Sequence, residues 1–238
     1  MNGISKLVLN ITGTLKPVLI KLIPLSLLRK MKQRMIAKSY EKLKKINILP
    51  YENGRYEHGV NLIGNIFAES GLGQSCRLVA SALDQTGFPL NIYRYEQLGA
   101  EGQGDHSWQE RISKELPYDV NLIHINPHEL GLAFMQQDAS VWNYRYNIGY
   151  WLWELEEFPD EWVPCFNCVD EIWAPSEFVC NAIRKKTTLP VHCMPYHVAV
   201  NIEKPYSRTD FGIPEDKFLY LMMLSLIHIS EPTRHLRI

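Results

Sequence analysis

Residues 60–87 read VNLIGNIFAESGLGQSCRLVASALDQTG, and the fold class turns on this stretch. Val60–Phe67 is a short apolar run of strand length. Behind it Leu78, Val79, Ala82 and Leu83 fall on one face of a helix that Gly87 closes. The alternation continues on the carboxyl side. Phe88–Tyr93 reads as a second strand, and Val120–Ile125 as a third, followed by a helix over His128–Gln137. Asn147–Trp151, Glu171–Ala174 and Val191–Met194 read as further short strands. Pro159 opens a helical segment with Asp160 and Glu161 in its first turn, which Pro164 kinks or restarts. Ser176 caps a helix whose apolar face is Phe178, Val179, Ala182 and Ile183, with Arg184, Lys185 and Lys186 at its negative end. Strands separated by helices need crossovers, so the expected fold class is α/β with a mainly parallel, doubly wound sheet. Ligands of such sheets bind outside the carboxyl ends of the strands.

The chain has 238 residues, 46% hydrophobic and 21% charged, which excludes a disordered or collagen-like protein and suffices for a sizeable core. Its five cysteines, at 76, 165, 168, 180 and 193, form an odd set without regular spacing, which argues against a secreted disulfide framework and for a reducing, cytoplasmic setting. Cys165-Phe166-Asn167-Cys168 lacks the strand-to-helix context of a redox dithiol, and Cys180 and Cys193 are not spaced as the second pair of a zinc site. They read as packing residues, and no metal is expected.

The net charge of −1 hides an asymmetry: residues 1–50 carry +10 and the remainder −11. Lys6, Lys16 and Lys21 interrupt the apolar residues of the N-terminus, and Pro17 and Pro24 break any single helix, so a spanning segment of roughly 20 apolar residues is not expected. Nor does a small-residue cleavage site follow Leu7–Leu28. What remains is a basic, amphipathic helical arm, with Leu25, Leu28, Met31, Met35 and Ile36 at helical spacing and Arg29, Lys30, Lys32 and Arg34 among them. Such an arm fits an anionic membrane surface on the inner face, and equally a helix packed on a neighbouring domain. No basic-aromatic interleaving points to nucleic acid. Pro50–Gly54 reads as the linker that follows.

Three segments fall at strand ends. Ala68-Glu69-Ser70-Gly71-Leu72-Gly73-Gln74 has two glycines that admit a ligand to the backbone, or simply form a tight turn, and it lacks a full dinucleotide fingerprint. His124-Ile125-Asn126-Pro127-His128-Glu129 offers imidazoles and an amide to sugar hydroxyls, while Pro127 argues against one helix presenting both histidines to a metal. Tyr150–Pro159, with Trp151, Trp153 and Glu154, sets aromatic faces beside carboxylates, as in a carbohydrate-stacking surface or an aromatic core with an acidic edge.

Gly59–Gly64, Ala68–Gly73, GYWLWELEEFP over 149–159 and DEIWAPSEFV over 170–179 together resemble the amino-terminal half of group-one glycosyltransferases, over about residues 58–223. The resemblance implies the first of two facing Rossmann-like domains (a GT-B fold) and a metal-independent transfer with retention. The donor would be a nucleotide-sugar, the acceptor a glycan or glycolipid, and the setting surface polysaccharide synthesis. It implies that Glu69, Gly71, Leu72, Gly73 and Gln74 line the interdomain cleft near donor phosphate or acceptor. His124, Asn126, His128, Trp151, Trp153 and Glu154 would form its wall. It assigns no catalytic base, and no cofactor beyond the donor.

The expected organisation is an arm and linker (1–50), the amino-terminal domain (55–205) and the start of a donor domain (206–223), whose first strand lies in Phe211–Met223. Leu224–Arg234 resembles a sequencing adapter translated in frame, so 224–238 is expected to be an artefactual end of a truncated enzyme, inactive alone. The alternative is a non-catalytic carbohydrate- or protein-binding module held at a membrane surface.

Overall fold

The computed structural model describes residues 25–95, 102–198, 202 and 204–220. The chain divides into two compact units, Met1–Val198 and Ala199–Ile238. The first carries strands β1 (Glu57–Gly64), β2 (Leu90–Arg94), β3 (Tyr118–His124), β4 (Tyr146–Tyr150), β5 (Glu171–Ala174) and β6 (Val191–Cys193). They form one sheet in the order β2-β1-β3-β4-β5-β6, every neighbouring pair parallel. The fold is Rossmann-like and α/β. Strand order reverses between β1 and β3, which places a crevice outside their carboxyl ends.

The helices are α1 (Leu25–Leu43), α2 (Gly71–Gln85), α3 (Pro127–Gln136) and α4 (Glu177–Arg184), with a 3-10 helix over Asp160–Cys168. Side-chain alternation divides the core between the two faces of the sheet. Leu62, Leu122 and Ile148 pack with Cys76, Val79 and Ala80 of α2. Ile63, Ile123 and Trp151 pack with Leu130 of α3 and with Phe158, Trp162 and Phe166 around the 3-10 helix. Burial on both faces is the physical reason for the near-continuous apolar runs.

Within those runs lie four buried asparagines, one per strand, in matching register: Asn61 sits opposite Asn91 and Asn121, and Asn121 opposite Asn147. Asn91 Nδ2 donates to Asn61 Oδ1 (3.4 Å), Asn61 Nδ2 to Asn121 Oδ1 (3.1 Å) and Asn121 Nδ2 to Asn147 Oδ1 (2.9 Å). The second amide protons go to the carbonyls of Glu115, Tyr118 and Val141, and Asn147 ends the ladder on Trp142 and Arg145.

Several boundaries differ from the sequence reading. β1 stops at Gly64, because Asn65 turns the chain (Ala68 N–H to Asn65 O, 3.2 Å) toward Ser70, whose Oγ caps α2 at the Gly73 N–H. Phe178 is 53% exposed, since α4 is short and turns only Val179, Cys180, Ala182 and Ile183 inward. The second half of α1 belongs to the domain. Ser39, Tyr40 and Leu43 are buried, Ile36 packs on the core, and a Cβ on Gly131 of α3 would collide with Ser39 Oγ. Ile36 is thus committed to the domain rather than to a membrane.

The expected linker is tied down too. Within it Glu52 N–H donates to Tyr144 O (3.3 Å) and the Tyr51 hydroxyl to Asp119 (3.2 Å), and just before it Leu49 N–H donates to Asn143 Oδ1 (3.0 Å). No helix among the described residues is long and apolar enough to cross a membrane. Residues 1–24, with Lys6, Lys16, Pro17, Lys21 and Pro24, lie outside the described residues, as do the side chains of Leu25, Leu28 and Met31.

In the second unit a 3-10 turn, Thr209–Phe211, closes on Gly212 at φ 63°. The described residues Phe218–Tyr220 form no strand, and residues 221–223 and the tail 224–238 lie outside the described residues.

The amide ladder generates a stability prediction. Asn121→Ala leaves Asn147 Oδ1 without its donor and Val141 O with only the longer bond from Arg145, and should cost about 2–4 kcal/mol in urea unfolding. The near-isosteric Asn121→Asp should cost more at pH 7, because it aims a buried carboxylate at two acceptors, and should recover part of that loss toward pH 5.

Candidate functional site

The site is built where β1 and β3 end together, with Gly64 opposite His124. Gly64 is held to a bare backbone: a Cβ there would meet Cys76 Sγ at 2.7 Å and His124 Cβ at 3.2 Å. The chain leaving β1 is stapled from within by Arg77 of α2. Its Nη1 donates to Ile66 O and Ala68 O, both at 2.9 Å, and its Nε pairs with Asp105 at 3.0 Å. Hydrogen bonds from Ser107 and the charge of Arg77 hold the Asp105 carboxyl below its ordinary range.

Two concavities follow, with one bordering residue in common. A recess of about 20 Å³, room for one water-sized group, is lined by Asn65, Tyr95, His124, Asn126, His128 and Glu129. An open groove of about 450 Å³ is lined by Ser70, Gly71, Gln74, Ser75, Glu154 and Tyr196. Leu72 borders both. Asn65 is 6% exposed and Tyr95 3% exposed, yet neither the Asn65 carboxamide nor the Tyr95 hydroxyl has a hydrogen-bond partner among the described residues. An unsatisfied buried polar group costs about 1–3 kcal/mol, so such groups in one recess mark a place built for a polar visitor.

His124 closes the floor. It stacks on Tyr150 (ring centroids 5.1 Å, 15° between planes), and its Nε2 lies 2.7 Å from Ser75 Oγ. Ser75 donates its single proton to Tyr196 Oη at 2.8 Å. Burial holds its pKa down, from 6.5 to about 4.

The structure gathers some expected residues and separates others. Gly71, Leu72, Gln74 and Glu154 meet in the groove, while His124, Asn126 and His128 meet in the recess. Asn126 is also a brace, its Oδ1 accepting from Leu152 N–H at 2.8 Å, and Gln74 Oε1 accepts from Arg77. Glu69 lies outside both concavities, exposed, with its carboxylate against Gly102 and Gly104. Gly73 is buried and serves the loop itself, for a Cβ there would collide with Ala68 O. Gly71 faces open space.

Trp151 is wholly buried among Phe158 and Phe166 and offers no stacking face; Trp153 is edge-on to Trp162 and donates to Glu157 O at 2.9 Å. Of the acidic edge, Glu157 pairs with Lys185 (2.9 Å) and Asp160 with Lys186 (2.7 Å). Cys165 and Cys168 are buried core residues. Sequence reasoning missed Asn65, Ser75, Tyr95 and Tyr196. Asn65 carried a weak signal, directly after the strand-ending Gly64, whereas Tyr196 reaches Ser75 across 121 residues and carried none.

Compared with known proteins, the chain matches no protein family, no curated protein and no solved structure.

The depressed His124 pKa means that, as pH falls, the unfolded chain takes up this proton first. Stability should be intact above pH 6.5 and fall as pH drops toward 4, by about 3 kcal/mol from this group. His124→Gln should flatten that part of a urea-unfolding series. Separately, Gly73→Ala should destabilise by about 1–3 kcal/mol through overpacking, and Gly71→Ala should be neutral or slightly stabilising, as read by thermal melting.

Proposed function

We propose that the first unit, with its sheet and the second half of α1, forms the acceptor-side domain of a retaining glycosyltransferase. It would bind a glycan or glycolipid to which a sugar is passed from a nucleotide-sugar, in surface polysaccharide synthesis. The observation that carries this reading is the lining of the crevice. Segments that resemble the transferase family converge there, and among the described residues of recess and groove there is no lysine or arginine; the polar lining is amides, hydroxyls, imidazoles and the acids Glu129 and Glu154, beside the apolar Leu72, Leu78, Ile125 and Leu152. Two carboxylates and the lack of a cationic side chain in this lining disfavour a diphosphate, whereas a neutral polyol uses such donors and acceptors well. The recess accepts one hydroxyl-sized group against Asn65 and Tyr95, and the groove takes the adjoining ring beside Glu154.

In this reading the cleft binds and orients an acceptor hydroxyl, with His124 neutral at physiological pH and held by Ser75 as a fixed wall. Compensation of the leaving diphosphate comes from outside these residues.

Saturation-transfer NMR on the full chain tests this, with neutral oligosaccharides, the corresponding nucleotide-sugars and inorganic diphosphate as probes. Sugar-ring contacts with dissociation constants of about 1 mM or below are expected. They should weaken severalfold in Tyr95→Phe and Asn65→Ala, and the nucleotide should add no affinity. Diphosphate binding tighter than sugar, or no sugar contact at all, would overturn the reading.

A further inference from the structure

Spacing in sequence gives no reason to group Cys180 with Cys193, but the fold brings them together. Cys180 lies one turn after Glu177 on α4, so both project from one helix face. β6 delivers Cys193 beside them, at the level of Ala174 on β5. A carboxylate oxygen of Glu177 and the two sulfurs lie within 4.8 Å of one another. In a tetrahedral zinc site, metal–sulfur bonds of about 2.3 Å and metal–oxygen bonds of about 2.0–2.2 Å set the donor atoms about 3.5–3.8 Å apart. Small side-chain rotations close that difference.

The surroundings suit a cation. Arg184 donates to Glu177 Oε2 at 2.8 Å, which leaves Oε1 for a metal, and is itself fixed by Asn181 Oδ1 (3.1 Å) and Val191 O (2.8 Å). Two thiolates and one carboxylate around a divalent ion leave one negative charge, which Arg184 offsets, while its hydrogen bond orients the carboxylate. Cys180 is buried, Cys193 half-buried and Glu177 exposed, so the donors run from the core to the surface. Glu177 and Cys193 border an open depression lined also by Trp173 and His192. One coordination position therefore faces solvent.

We propose that Glu177, Cys180 and Cys193 bind a thiophilic divalent cation of the zinc class, completed by a water molecule. Thiolate ligands select such a metal over magnesium or calcium. The ion would pin α4 to the last strand of the sheet, three residues before Tyr196.

The experiment titrates the reduced full chain with cobalt(II) as the spectroscopic probe and then displaces it with zinc. One equivalent per chain is expected, with a near-ultraviolet thiolate-to-cobalt band and the intense visible bands of a tetrahedral centre. Cys193→Ser, at a half-buried position, should keep the fold and lose most of the near-ultraviolet band. Glu177→Gln should weaken binding by about 10–100-fold, the scale of an important site residue. The double variant Cys165→Ala/Cys168→Ala should keep the full spectrum. Absence of the thiolate band in the wild-type chain would sink the proposal, as would a spectrum unchanged by Cys193→Ser. A reduced chain that oxidises to a Cys180–Cys193 disulfide in air and takes up no cobalt beforehand would also overturn it, by showing a redox pair instead.

Discussion

Four carboxamides joined side by side, Asn91 to Asn61 to Asn121 to Asn147, hold the sheet in register, and everything built on the sheet follows from that. A parallel strand buried on both faces has little hydrophobic contrast from one residue to the next, so packing alone specifies register weakly. A buried amide is different. Each must find partners for its protons, and in this sheet each finds them at the matching position on the next strand or on a nearby carbonyl. Sliding one strand by a single residue would break the ladder and leave amides facing apolar side chains, at a cost far above that of an imperfect contact between Leu and Ile.

Register sets where the strands end, and the ends set the site. With Asn61 level with Asn121, Gly64 is level with His124, and the chain leaves both strands on one edge of the sheet. The loop after β1 then needs closure, which comes from Arg77 on two carbonyls and from Ser70 at the start of α2. The loop after β3 is joined to that after β4 by Asn126 and Leu152. Ser75 connects His124 with Tyr196, and Tyr150 donates to Met194 O at 2.7 Å, so the segment after β6 is drawn across the same edge.

The opposite edge is closed by buried charge. Burial would raise the Asp119 carboxyl, but hydrogen bonds from His58, the Gly59 N–H and Tyr51 outweigh it and hold the group below its usual range. Arg145 donates to the carbonyls of Leu116, Tyr118 and Ser140 and lies 3.7 Å over the Tyr56 ring, with burial pulling its pKa down. At the carboxyl edge, by contrast, Asn65 and Tyr95 keep buried polar atoms without a partner among the described residues.

The kinds and order of the elements were legible in the chain, because strand and helix periodicity are local. Each of the six strands overlaps an apolar run read from the sequence, and Ser176 caps α4 as its position before Glu177 indicates. The end of β1 was overextended to Phe67, since an apolar run does not reveal that Asn65 turns the backbone. The motif VNLI occurs at 60–63 and again at 120–123, but its meaning, an amide in register with another amide, exists only once the two strands are adjacent. The same holds for the individual site residues. Gly71 and Gly73 are alike in sequence, and Trp151 and Trp153 are both aromatic beside acids. Yet one glycine faces open space and the other the Ala68 carbonyl, and one indole is wholly buried while the other is partly exposed. These outcomes, and the grouping of Glu177, Cys180 and Cys193, came from tertiary packing, because long-range contacts assign each side chain its environment after the local pattern has assigned its element.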